Sequence, residues 1–185
     1  HPHIISIYNV FEENGTAYYV MKYIANGSLK DIVEQQGALS EKTALSFIRK
    51  IGSALNYIHG KKILHLDIKP ANILLDDKQP ILIDFGISKR YDVSGHQTSS
   101  TPVGISKGFA PMEQYSQGGI KGFDPSTDVY SLGATLFYLL TGEVPPEASI
   151  VNEDGLPPLP NNISVGTAQA IEKAMQPKRK DRPQS

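Results

Sequence analysis

Between residues 127 and 140 the chain carries a helix-forming run that is apolar around most of its circumference, with Asp128 as its only charge. Val129, Leu132, Ala134, Leu136, Phe137, Leu139 and Leu140 spread over most of such a helix and leave it little surface suited to water. It needs other elements around it, so the chain must build a core with this helix running through it. A bilayer is not the alternative, because a spanning helix needs about 20 apolar residues and the longest stretches here, such as residues 134–140, fall far short. Asp124-Pro125-Ser126 supplies the start of the helix and Thr141-Gly142 its stop.

The rest of the sequence offers partners for that core. Ser40 can cap a helix over residues 41–59, where Ala44, Leu45, Ile48, Ile51, Leu55 and Ile58 recur at helical spacing before Gly60. Ser28 can cap a shorter one over 29–35, with Leu29, Ile32 and Val33 on one face and Gly37 past its end. A last amphipathic helix is expected over 165–175. Two β-branched and aromatic runs, residues 4–10 and 16–24, flank Asn14-Gly15, a pair that suits the positive φ angles of a type I′ hairpin turn. The proline-rich stretch 144–162 reads mostly as loop, and residues 88–121 show no sustained periodicity.

Composition narrows the chemistry. With 185 residues, 39% of them hydrophobic, one compact domain is expected. Eighteen Lys and Arg against nineteen Asp and Glu leave a net charge of −1, so there is no bulk electrostatic case for nucleic acid or an anionic membrane surface, and any phosphate chemistry must be local. The absence of cysteine excludes disulfides, thiolate metal sites and Cys nucleophiles. His1, His3, His59 and His96 lack ligand-like spacing. No export signal is visible, and the expected location is cytoplasmic, with membrane attachment left open outside this segment.

The chemistry concentrates around short strands at 63–64, 73–75 and 81–83. His65-Leu66-Asp67-Ile68-Lys69-Pro70-Ala71-Asn72 immediately precedes the second, and Asp84-Phe85-Gly86 immediately follows the third. Taken singly, Asp67 or Asp84 reads as an ordinary turn carboxylate. Their order and spacing are what is specific, and the pairing resembles the catalytic loop and metal-binding segment of eukaryotic-like (Hanks-type) serine/threonine protein kinases of the bacterial type. Phosphoryl transfer asks a protein mainly for positioning and charge neutralisation. Under the resemblance, the catalytic residues are Asp67, which accepts the proton of the substrate hydroxyl, and Lys69, a compact cation for the γ-phosphate. Asn72 and Asp84 supply the hard oxygen ligands that Mg²⁺ prefers.

Further matches follow in order. Phe109-Ala110-Pro111-Met112-Glu113 resembles the end of the family's activation segment, which implies a Glu113–Arg182 pair. Asp128 falls where the family anchors the catalytic-loop backbone. Val20-Met21-Lys22-Tyr23-Ile24 resembles the adenine hinge, with Met21 as gatekeeper, backbone groups of Lys22 and Ile24 meeting the base, and Leu74 beneath the ring. Ile7, His65 and Phe85 would join the hydrophobic spine, and Ser106 falls where the family bridges its catalytic Asp and Lys. Leu66 stands where many relatives carry a phosphate-binding Arg, which weakens the usual switch, although Thr98, Ser99, Ser100 and Thr101 offer phosphosites and Lys89 a contact for one.

The implied fold is α+β and kinase-like, a mainly helical C-terminal lobe (25–185) with a β-hairpin and hinge (1–24) remaining from the N-terminal lobe. The Gly-rich loop, the strand Lys and helix C are not in this sequence, so the chain is expected to be a partial catalytic domain, inactive alone. The implied reaction is transfer of the ATP γ-phosphate to Ser or Thr of a protein substrate, with ATP and Mg²⁺ as cofactors and no nucleic-acid or membrane contact within the chain. Two alternatives stay open: a pseudokinase-type ATP-binding or scaffold module, which has no chemical need for all four polar residues, and a small-molecule kinase, which the long activation segment disfavours.

Overall fold

The structure, a computed structural model, describes residues 1–85, 89–90, 105–115 and 123–185. In chain order the regular elements are β1 (Ile7–Glu13), β2 (Thr16–Met21), α1 (Leu29–Gln36), α2 (Glu41–Gly60), β3 (Ile63–Leu64), β4 (Ile73–Asp76), β5 (Gln79–Leu82), β6 (Lys89–Arg90), α3 (Pro125–Thr141), α4 (Ala148–Asp154) and α5 (Val165–Ala174). This is the expected α+β class, with the helices carrying the mass and, among the described residues, three two-stranded sheets, β1-β2, β3-β6 and β4-β5.

α3 is the axis, as its sequence requires. Asp124 caps it by accepting the Ser126 N–H, and Gly142 closes it in the left-handed conformation at φ +77°. α2 lays Ala44, Phe47, Ile51, Leu55 and Ile58 into the core shared with Tyr130, Ala134, Phe137 and Leu139 of α3. α5 closes over the far side, where a Cβ on Gly133 would lie 2.7 Å from that of Ala174; only glycine allows the two helices that close. A capping box between Ser28 and Asp31 starts α1, and those hydrogen bonds hold the Asp31 carboxyl below the ordinary carboxylate range.

Several boundaries differ from the sequence reading, the first being the N-terminal hairpin, where β1 covers Ile7–Glu13 instead of 4–10 and β2 ends at Met21 instead of 24. The 144–162 stretch contains α4, which occupies the proline-free interval between Pro146 and Pro157. α2 runs through Gly60, and the positive φ that turns the chain falls on Lys62 at +59°. The β4-β5 turn is tighter than expected. Asp77 and Lys78 take positive φ, and Pro80 pairs with Leu75 inside the ladder. Thr98, Ser99, Ser100 and Thr101, Gly86 and the side chain of Lys89 lie outside the described residues.

The N-terminal hairpin is joined to this body at its root. Ile5 donates its N–H to the Leu82 carbonyl at 3.0 Å, and Leu82 donates to His3 at 2.9 Å, which extends the β4-β5 pair by a short parallel contact. Ile5, Ile24 and Ile81 form a small core with Leu74 and Ile83 packed against it.

Candidate active site

The residues before β4 are gathered around Asp67. Its Oδ1 accepts from Ser106 Oγ at 2.6 Å and its Oδ2 from Asn72 Nδ2 at 2.8 Å. Lys69 Nζ lies 2.8 Å from the same Oδ2 and donates to Ser106 Oγ at 2.9 Å. Asn72 also donates to the Asp67 carbonyl at 2.9 Å. Four side chains thus form one network at a half-buried position. The Asn72 amide nitrogen is turned inward to Asp67, which leaves its carbonyl oxygen as the group it offers a cation.

Asp84 is placed by strand register. Ile73 pairs with Leu82, and Ile83 donates its N–H to the Asn72 carbonyl at 3.0 Å, so Asp84 follows directly after the residue bonded to Asn72. Asp84 is exposed and sits at φ +63°, a conformation costly for a non-glycine residue.

His65 joins the two segments. Its Nε2 must donate to the Ile83 carbonyl, 3.0 Å away, and its Nδ1 accepts the Asp67 N–H at 3.3 Å, which defines a neutral imidazole. Burial pushes its pKa below the ordinary 6.5, in the same sense. Its ring meets Phe85 edge-on at 4.8 Å, so it packs and positions.

The anchors come from α3 and the segment before it. Asp128, fully buried, accepts the N–H of His65 at 2.9 Å, that of Leu66 at 2.8 Å and His59 Nε2 at 2.8 Å. Glu113 and Arg182 form a buried two-pronged pair at 2.6 and 3.2 Å, and Thr127 donates to Glu113 as well. Arg182 further donates to the carbonyls of Gln176 and Pro177, which ties the C-terminal end to the turn over Met112–Gln114. The sequence points to Asp128 and to the Glu113–Arg182 pair. It does not point to His59, which has no ligand-like spacing, nor to Gln114.

Two cavities flank this network. One, of about 200 Å³, is lined by Ile5, Ile7, Tyr19, Met21, Asp84 and Phe85. Met21 and Asp84 thus share a wall, whereas Ile24 and Leu74 sit in the small core behind it and Lys22 pairs with Asp76 at the edge. The other, of about 560 Å³, opens beside Lys69 and Ser106, with Pro70, Ala71, Phe109, Tyr138 and Val144 among its walls.

A helical body holding such a polar network against a two-stranded hairpin is the architecture of the eukaryotic-like protein kinases. The chain belongs to the protein kinase domain family, which it matches over residues 1–184. It is 37% identical over 161 residues to the probable serine/threonine-protein kinase zyg-1 of Caenorhabditis briggsae, covering 84% of this chain and 22% of that protein. Bacterial relatives include serine/threonine-protein kinase PknA of Nostoc sp., 37% identical over 78% of this chain and 26% of its own length, and PrkC of Bacillus subtilis, 36% identical over 78% and 22%. The chain therefore spans roughly a quarter or less of these relatives' lengths.

Proposed function

We propose that the protein transfers the γ-phosphate of ATP to serine or threonine hydroxyls of protein substrates. The observation that carries this reading is the single hydrogen-bonded network of Asp67, Lys69, Asn72 and Ser106, with Asp84 set beside it by the β4-β5 register. Asp67 holds the substrate hydroxyl and receives its proton, and Lys69 and Ser106 fix the carboxylate between them. Lys69 is near enough to serve the phosphate when it leaves Asp67. Asn72 and Asp84 fit Mg²⁺ by donor chemistry, both offering hard oxygen atoms, and would hold it. The ion's contribution is to neutralise charge on the phosphate oxygens. On the nucleotide side the reading assigns Met21, backbone groups of Lys22 and Ile24, and Leu74. The cavity beside Lys69 and Ser106 is open to a segment of the protein substrate.

On this reading residues 1–24 are the hairpin and hinge of a kinase domain and 25–185 its helical lobe. The Gly-rich loop and strand Lys of the family have no counterpart among these residues, so the chain alone is expected to transfer phosphate poorly. The location we propose is cytoplasmic; among the described residues no helix is long and apolar enough to cross a membrane.

The test is incubation of the full-length protein with labelled ATP, Mg²⁺ and a generic protein substrate, beside Asp67→Asn. Label on Ser and Thr that falls by about 10²–10⁴-fold in the variant is the expected outcome. Nucleotide binding without any transfer would instead support a scaffold, and label confined to small molecules a different class of kinase.

A further inference from the structure

Leu66 immediately precedes Asp67 and sits at φ +67°, in the left-handed region that a bulky side chain disfavours. Such a conformation persists where its surroundings over-determine it. Both polar groups of Leu66 are held by buried side chains. Its N–H is accepted by Asp128 Oδ1 at 2.8 Å, and its carbonyl accepts from Gln114 Nε2 at 2.8 Å. Fixing the N–H and the C=O of one residue fixes its φ and ψ together, and the Leu66 carbonyl belongs to the peptide that begins Asp67. The side chain is meanwhile sunk in an apolar cluster with Leu64 and Phe123.

Gln114 is itself buried, and its Oε1 has no hydrogen-bond partner among the described residues. A buried amide with one end unpaired is a net cost, tolerated where the other end does something an apolar side chain of the same shape does not. Its backbone is held firmly: the neighbouring Glu113 is clamped by Arg182, and the Gln114 N–H bonds the Pro111 carbonyl at 3.0 Å. The segment 105–115 therefore touches the loop twice, with Ser106 on the Asp67 carboxylate and Gln114 on the peptide before it.

We infer that Gln114 is a positioning residue for phosphoryl transfer: it locks the Leu66–Asp67 peptide in the strained conformation that presents the Asp67 carboxylate. The kinetic part rests on the kinase reading above; the structural part does not. Three forms of the full-length protein decide it, the wild type, Gln114→Leu and Gln114→Glu, each measured for kcat, KM for Mg·ATP, and amide hydrogen exchange at Leu66 and Asp67. Gln114→Leu, close in shape but without the donor, is expected to lower kcat at least tenfold with KM for ATP within twofold, and to speed exchange at Asp67 at least tenfold. Gln114→Glu can donate to the Leu66 carbonyl only when protonated. Its kcat relative to wild type should therefore climb as pH falls, a ratio that cancels the titration of groups both proteins share and that a merely structural defect would not move. Wild-type kcat and exchange in Gln114→Leu, or a flat ratio in Gln114→Glu, would overturn the inference. If the wild type itself transfers no phosphate, the kinase reading fails, and the exchange rates alone decide whether the clamp exists.

Discussion

The β4-β5 hairpin and the β1-β2 hairpin are both short antiparallel pairs beside the same site, yet they are held in opposite ways. Ile73 and Leu82 of the first are wholly buried, and its flanking loop is bonded to α3 and the 105–115 segment through Asp128, Ser106 and Gln114, with His59 of α2 bonded in turn to Asp128. Every residue of β1 and β2 is exposed, including Tyr8, Val10, Phe11 and Tyr19, and among the described residues the pair is held at its root by the Ile5–Leu82 contact, the Ile24 cluster and the Lys22–Asp76 ion pair. An isolated two-stranded hairpin is marginal in water. The groups proposed for proton and phosphate work are thus fixed by the helical body, whereas Met21 and Ile7, on the proposed nucleotide side, ride on a sheet that has no core of its own among the described residues.

The contrast can be broken most forcefully from the body side. Arg182→Ala would leave Glu113 buried without its cation and free three carbonyl contacts, and is expected to lower unfolding free energy by about 3–5 kcal/mol in denaturant titrations. A loss under 1 kcal/mol would show that the C-terminal tie does not hold the body. The buried His65 gives a smaller and pH-dependent effect. Because burial depresses its pKa below 6.5, the unfolded chain takes up a proton that the folded one refuses. Stability contributed this way is complete above about pH 6.5 and is lost as pH falls below it, by at most about 1.4 kcal/mol per pH unit. Comparing the pH dependence of unfolding with that of His65→Asn isolates this slope, and equal slopes would count against a neutral buried imidazole. The smallest effect belongs to the exposed hairpin. Val10→Thr should change stability by no more than about 0.5 kcal/mol in the same titration, and a larger loss would reveal a core there that the contacts do not show.

How much of this was legible follows the same division. The helices announced themselves because Ser28, Ser40 and Asp124 supply caps and the apolar spacing is regular, so α1, α2, α3 and α5 fall within a residue or two of their expected limits. Asp67, Lys69 and Asn72 could be read because they lie on one loop at offsets that resemble a kinase motif, a resemblance that singles them out where each alone would not. β6 lies in a stretch with no periodicity, and its pairing with β3 spans too few residues to leave a pattern. Gln114 and His59 act on Leu66 and Asp128 across 48 and 69 positions, through side-chain contacts that have no spacing rule. His59 has no spacing in the sequence that marks it, and only the packing of α2 on α3 turns it toward a buried carboxylate.

The most direct test of the central claim, that the helical body fixes the groups proposed for catalysis, is residue-by-residue amide hydrogen exchange on the 185-residue chain. Slow exchange at His65, Leu66, Asn72 and Leu82 is expected, within reach of the rate set by global unfolding, together with fast exchange from Ile7 to Met21. Equal protection of the two hairpins, or rapid exchange at Leu66 and Asn72 while α3 remains protected, would contradict it.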